Sequence, residues 1–355
     1  MKTRVALIYG GASAEHSVSC VTALGVKSAI DLERYELIEI GITRGGKFVL
    51  ESISADWKLA DFPEVSSLSP AVIMPLGGGE LRLSSGEVLG KVDLAFPLLH
   101  GPNGEDGSIQ GLLQLCQIPY VGNGVLASAV AMDKSKAKAV FRDAGIQVSE
   151  HVLISRSEFS KDPNSCLESA AEFSQFPVFV KPSRSGSSVG VSKVHEFSEL
   201  KAALELALSQ DESALVEECI VGREIECSVL EYPNGELKVS LAGEIVVIAR
   251  EFYDYEAKYL GGGADLRVPT NLSAQELSEL HELAIKAFRS LGCSGLARTD
   301  FFLTAAGFIL TEVNTMPGFT PISMYPALFR AGGVSYQKLV ATLLETGLAR
   351  GSSSI

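Results

Sequence analysis

No apolar run along the 355 residues comes near the roughly 18 needed to span a membrane. The amino terminus, MKTRVALIYGG, has about six apolar residues before its glycines, short of the roughly 7–15 in a secretory signal core. Basic residues are also in deficit: 30 Lys and Arg face 43 Asp and Glu, for a formal net charge of −13. That balance argues against a general nucleic-acid or anionic-membrane surface, both of which want a basic face. It leaves room for a phosphorylated small molecule held by a few local cations. Cysteine is sparse. Cys20, Cys116, Cys166, Cys219, Cys227 and Cys293 form no CxxC pair, which excludes a disulfide scaffold and points to a reducing cytoplasm. The 34 glycines and 14 prolines follow no period, so collagen-like and low-complexity readings fall away. What is present is ordinary globular material, 46% hydrophobic and 21% charged, long enough for two or three domains.

The opening reads as βαβ. Residues 4–9 form an apolar run of the kind buried in a parallel sheet. Gly10 and Gly11 turn the chain, Ser13 reads as an N-cap, and a helix to about Ile30 leads to a strand at 36–42. Short strands follow at 47–50 and 71–74, around a polar surface insertion at 51–70. A buried strand at 92–99, a helix at 108–117 and a short strand at 119–121 complete this part. Asp133 then caps a Lys-rich helix that stops at Gly145. Beyond it the pattern changes to strands at 179–181, 214–219, 224–231 and 236–248, with a helix at 197–209. Residues 252–269 read as a long loop, 274–291 as a helix, and 296–303 with 308–314 as paired strands before two closing helices.

Two glycine patterns mislead. Gly41–Lys47 spells GxxxxGK, but Phe48 stands where a phosphate loop needs Ser or Thr, and the segment enters a strand. Gly122-Asn123-Gly124 with Ala127 spells GxGxxA, but does not open the first βαβ unit. Turn glycines explain both. The loop Lys181–Gly190, KPSRSGSSVG, is different. A cation at a strand end precedes small and hydroxyl residues around two glycines, which lets backbone N–H groups approach an anion, with Ser187 and Ser188 as added donors. On the last strand pair, alternation puts Arg298 with Asp300, and Glu312 with Asn314, on one face, while Thr299, Phe301 and Val313 point the other way. Asp, Glu and Asn are hard oxygen donors suited to magnesium. Two metals need a bridging carboxylate, the place Glu312 takes. Taken alone, His100 reads as a surface-loop histidine, and Glu15 as either a helix cap or a functional acid. The tyrosines of 252–259 sit in a glycine-bearing loop, as in a lid.

These blocks together resemble the ATP-grasp fold and, more narrowly, the D-alanine–D-alanine ligase family. The matching segments are GGASAEHSVS (10–19), HGPNGEDGSIQG (100–111), MDK (132–134), VKPSRSGSSVG (180–190), EFYDYEAKY (251–259), ARTDFF (297–302) and EVNTMPGFTPISMYP (312–326). They run through most of the chain in family order. The resemblance implies an α/β chain: a parallel α/β domain at 1–121, then a two-lobed ATP-grasp α+β fold at 122–211 and 212–355. It implies that ATP phosphorylates one D-alanine and that the amine of a second attacks the acyl phosphate, for peptidoglycan precursor synthesis in the cytoplasm. ATP, two magnesium ions (manganese as an alternative), two D-alanine molecules and a homodimer are the implied cofactors and partners, with no nucleic acid and no membrane.

Carried over by motif, Lys134 and Lys181 hold phosphates, Glu217, Glu218 and Ile220 form the adenine hinge largely by main chain, and Glu224 takes the ribose. Family members often have lysine where Glu218 stands. Asp300, Glu312 and Asn314 hold the metals. Arg298 and the Gly318 N–H stabilise the oxyanion, where losing one such donor costs on the order of 3–4 kcal/mol. Glu15 pairs with the first ammonium, His100 sits near it, and Ser323 with the Met324 N–H takes the second carboxylate. Lys258 and Tyr259 arrive on the lid, and Tyr259, Ser187 and Glu15 form a hydrogen-bonded set. Relatives making D-alanyl-D-lactate tend to lack that tyrosine, so its presence favours an amine nucleophile. The competing readings are a D-alanine–D-serine or other ATP-grasp ligase and a silent nucleotide-binding regulator. The regulator should have lost a metal ligand or the arginine, and has lost neither. A biotin-type carboxylase lacks room for its carrier.

Overall fold

The computed structural model describes residues 2–248 and 264–351. β1 (Thr3–Gly10) is buried over its last six residues, as an apolar run without alternation must be when both sheet faces are covered. It runs parallel to β2 (Tyr35–Ile42), reached through α1 (His16–Ala29), and on its other side to β7 (Leu94–Pro97). β3 (Phe48–Leu50) adds an antiparallel edge. Between them β4 (Val72–Ile73), β5 (Glu80–Leu83) and β6 (Val88–Lys91) form a small antiparallel sheet. The expected strand at 119–121 shrinks to one parallel bridge, Tyr120 to Ala95. α2 (Ser108–Leu115), α3 (Val125–Met132) and α4 (Lys134–Asp143) follow.

A second antiparallel sheet has the order β10-β9-β11-β8, from β8 (His151–Ser155), β9 (Val178–Pro182), β10 (Ser192–Val194) and β11 (Ser213–Glu218). α5 (Arg156–Lys161) and α6 (Pro163–Phe173) lie between β8 and β9, and α7 (Phe197–Gln210) between β10 and β11. Leu200, Leu204 and Leu208, one turn apart on α7, bury against Val178, Val180 and Val216.

The largest sheet joins β12 (Arg223–Glu231), β13 (Leu237–Val239), β14 (Gly243–Val247), β15 (Ala264–Arg267), β16 (Leu296–Thr304) and β17 (Gly307–Asn314). The single strand expected at 236–248 is split, because β12 pairs with β13 through Val229–Glu231 and with β14 through Glu224–Glu226. The end of the expected 252–269 loop is instead the edge strand β15. α8 (Ala274–Ser290) covers this sheet, entered through a capping box of Ser273 and Glu276. The chain ends in α9 (Met324–Ala331) and α10 (Tyr336–Arg350). Their side chains Tyr325, Phe329, Leu339 and Leu343 share one core with Val5, Leu7, Leu94 and Phe96 of the first sheet.

Candidate active site

One cleft of 510 Å³ lies where the first sheet's loops, the β9–β11 sheet and the β12–β16–β17 sheet meet, and all sixteen described candidate residues line it. Lys258 and Tyr259, with the rest of the expected lid at 252–259, lie outside the described residues.

At one end stands Glu15. It occupies the N-cap position of α1, but its side chain makes no capping bond. Ser187 donates its hydroxyl to Glu15 Oε1 at 2.6 Å instead, so a residue 172 positions away holds the carboxylate in the cleft. Ser13 is not the cap: its hydroxyl accepts from the Glu15 N–H at 3.2 Å and donates to the His100 carbonyl at 2.7 Å, bending the entry loop toward His100. Ser187 and Ser188 both adopt left-handed φ, 50° and 59°, which aims the loop inward. His100 is 4% exposed, so the surface-loop reading fails. Its Nδ1 lies 3.3 Å from the Met316 carbonyl and its Nε2 3.3 Å from Thr22 Oγ1. A carbonyl only accepts, so a bond there puts the proton on Nδ1. Burial lowers the His100 pKa, against the opposing charge of Glu15. Glu105 was missed by sequence reasoning. It lines the same end and accepts the Gly101 N–H at 2.8 Å, and burial with the nearby Glu15 pushes its carboxyl up to about 8.

At the opposite end, Asp133 accepts the Lys136 N–H at 3.1 Å, capping α4, and takes the Ser183 hydroxyl at 2.8 Å. The cap thereby ties the start of α4 to the glycine/serine loop, and Lys134 donates to the Ser185 carbonyl at 2.6 Å. Lys181 pairs with Glu217, whose other oxygen lies 3.1 Å from the buried Lys138. Burial alone would raise the Glu217 pKa, but the two lysines outweigh it and hold the carboxyl at about 2. Glu218 accepts the Glu150 N–H at 2.9 Å with its side chain, and its own N–H donates to the Glu150 carbonyl at 3.4 Å. Ile220 and Glu224 complete this wall.

Between the ends lies the strand pair. Register sets Arg298 opposite Asn314 and Asp300 opposite Glu312, so the four side chains share a face as expected. Arg298 forks onto Asp300, Nε to Oδ1 and a terminal N–H to Oδ2, both at 2.7 Å. Glu226, opposite Asp300 on β12, lies 3.1 Å from Arg298 Nε and was also missed. Burial lowers the Arg298 pKa, but Asp300 and Glu226 together raise it well above the ordinary value, so its charge is permanent. Asn314 donates its amide N–H to Asp300 Oδ2 at 2.9 Å, which leaves the amide oxygen as its donor atom toward a cation. Among the described residues no group of three His, Cys, Asp or Glu side chains is arranged for a metal. The set here is two carboxylates and one amide, all hard oxygen donors, and its chemistry fits magnesium. At the far wall, Ser323 takes the N-cap position of α9 without a capping bond of its own and accepts from the Thr320 N–H at 3.1 Å. It stands beside the helix's first N–H groups, a natural seat for a carboxylate. Gly318 approaches closely: a Cβ there would meet Ser323 Oγ at 3.3 Å.

The cleft thus joins two lysines, the Glu15 carboxylate and a fixed arginine. Residues 4–123 match the family model described as D-ala D-ala ligase N-terminus, and residues 140–345 the one described as D-ala D-ala ligase C-terminus. A D-alanine--D-alanine ligase of Mycolicibacterium smegmatis is 45% identical over 366 residues, spanning 99% of this chain and 97% of that protein. Another from Mycobacterium sp. (strain KMS) is 46% identical over 372 residues, with 99% and 98% covered. Among solved structures, the VanG D-Ala:D-Ser ligase from Enterococcus faecalis superposes with a TM-score of 0.85 at 34% identity, covering 98% of this chain and all (100%) of that one. The D-alanine-D-alanine ligase from Coxiella burnetii gives 0.82 at 32% identity, with 99% and 96% covered.

Proposed function

The chain belongs to the D-alanine–D-alanine ligase family, an ATP-grasp fold behind a parallel α/β domain, and from that membership we propose how its residues divide the work. The enzyme joins two D-alanine molecules into D-alanyl-D-alanine for peptidoglycan synthesis, with ATP converted to ADP and phosphate. Main-chain groups of Glu217, Glu218 and Ile220 take the adenine, Glu224 the ribose hydroxyls, and Lys134 and Lys181 the phosphates. Glu15, steadied by Ser187, binds the ammonium of the first D-alanine beside His100. The carboxylate oxygen of that D-alanine then attacks the γ-phosphorus, the bond to ADP breaks, and an acyl phosphate forms. A free carboxylate is a poor acyl donor, and phosphorylation supplies the leaving group. The step is mostly positioning and charge neutralisation.

The second D-alanine sits with its carboxylate on Ser323 and the Met324 N–H. Its amine attacks the acyl carbon, and the tetrahedral oxyanion lies against Arg298 and the Gly318 N–H until phosphate leaves. Arg298 is held by Asp300 and Glu226 before substrate arrives, so it need not reorganise in the transition state. Asp300, Glu312 and Asn314 would hold two magnesium ions, or manganese, which screen the phosphate charge when bound. Cytoplasmic location and a homodimer belong to the same proposal; among the described residues no helix is long and apolar enough to cross a membrane.

The observation that carries this reading is the convergence of sixteen motif residues on one cleft. The test is ADP release by the purified protein with ATP and magnesium, adding D-alanine, L-alanine, D-alanine with D-serine, or D-alanine with D-lactate. ADP formation that requires D-alanine and yields the dipeptide is the expected result. Faster turnover with D-serine as second partner moves the second-site reading, and silence with every pair despite ATP binding overturns the function.

A further inference from the structure

α4 carries Lys134 and Lys138 one turn apart; Lys134 lines the cleft, while Lys138, which the mechanism does not use, is buried against Glu217. Lys138 is 1% exposed, deeper than any other charged side chain described. A buried ammonium is unfavourable unless it is paired and hydrogen-bonded. Its Nζ donates to Ser149 Oγ at 2.5 Å and lies 3.1 Å from Glu217 Oε1. Lys181, from β9, pairs with the other Glu217 oxygen. Glu217 is thus fixed between two cations from different elements. It is 5% exposed and still lines the cleft, near Phe179 and Ile220. Its Oε1 is closed off from solvent and faces the Lys138 ammonium, so the pose in which the carboxylate meets the cleft is set by how Lys138 holds that oxygen.

The two lysines are not equivalent. Lys181 also serves the phosphates, so its hold on Glu217 varies with what is bound. Lys138 is tied to Ser149. An ionised carboxylate accepts and cannot donate, so at the edge of a purine it takes a 6-amino group and repels a 6-oxo group. We propose that Lys138 is a positioning residue for nucleobase choice: by holding Glu217 Oε1 it fixes the carboxylate at the base slot and so makes the site select a 6-aminopurine over a 6-oxopurine. The inference rests on the proposed role of residues 217–220 as the adenine hinge.

The test compares kcat/KM for ATP and inosine triphosphate, at saturating D-alanine and magnesium, in the wild type, Lys138→Met and Lys138→Arg. The wild type is expected to prefer ATP on the order of 100-fold, the scale of one charge-assisted hydrogen bond. In Lys138→Met the preference falls about tenfold, through a higher KM for ATP with kcat within about threefold, and Lys138→Arg restores most of it. A merely structural lysine lowers the melting temperature and leaves the ratio alone. No preference in the wild type overturns the hinge reading and the inference with it. A wild-type preference retained in full by folded Lys138→Met overturns the inference alone. If that variant does not fold, Ser149→Ala decides: it frees the ammonium, and a shift of about threefold in the ratio is expected, whereas none overturns the proposal.

Discussion

Glu105 and Glu15 reach the same end of the cleft from different elements, one on the loop after β7 and the other at the head of α1. Burial and the charge of Glu15 push Glu105 from the ordinary 4.5 up to about 8; Glu312 adds to the rise, while the Gly101 N–H and Arg298 oppose it. The folded pKa lies above the unfolded one. The stability this group contributes is therefore full below about 4.5 and is lost as pH rises through about 8. An ammonium seated there, as proposed for the first D-alanine, favours the ionised form, so its binding is expected to release the proton. KM for that D-alanine should fall as pH rises toward about 8, and Glu105→Gln should flatten the profile. Steady-state kinetics between about pH 6 and about pH 9 check this, and an inflection that survives the substitution counts against it. The motif residues were legible because their neighbours spell the same blocks. Lys138 was not, because it looks like any lysine of a Lys-rich helix, although its spacing from Lys134 puts both on one face. Glu226 likewise shares a strand face with Glu224 by alternation, a cue present in the sequence and left unused.

The glycine/serine loop shows how an element serves the cleft. Gly190 closes it with φ of +76°, and a Cβ there would meet Pro182 Cγ at 2.9 Å and Gln210 Cγ at 3.0 Å. Gly190→Ala therefore combines a left-handed backbone with a clash. It should destabilise by at least about 1 kcal/mol and raise KM for ATP, since the same loop receives Lys134. Thermal melts and nucleotide kinetics test both effects, and an unchanged melting temperature would show that the loop yields. Long periodic elements such as α8 and the β16–β17 pair were readable from the sequence, the pair because its turn at 305–306 is short. β8, α5 and α6 were not, being short and closely spaced. Their caps were nevertheless written there: Ser155 with Glu158 makes a capping box, and Asp162 caps a helix that begins with Pro163.

Across the whole molecule, contacts distant in sequence hold the cleft's parts in place. Asn123 is buried and donates to the carbonyls of Leu296 and Thr315, both at 2.7 Å, while accepting the Ser294 N–H at 2.9 Å. This one amide spans the end of the first domain, the head of β16 and the turn before Gly318. Asn123→Ala strands two buried carbonyls and a part-buried N–H and should cost on the order of 3 kcal/mol. Denaturant unfolding measures it, and a loss below about 1 kcal/mol would mean the groups find other partners. No reading of a single strand or loop shows such a tie, because its partners lie more than 170 residues away.

The shared core of the first sheet and the last two helices also bears on how the protein is made. β1 is made before α9 and α10, yet part of the cover over Val5, Leu7, Leu94 and Phe96 comes from those two helices, beside that from α1. On the ribosome the earlier sheet emerges with that face only partly covered, and it stays so until α9 and α10 have left the exit channel. The sheet made early is completed late, and through that interval its unfinished apolar face is open to association with other chains.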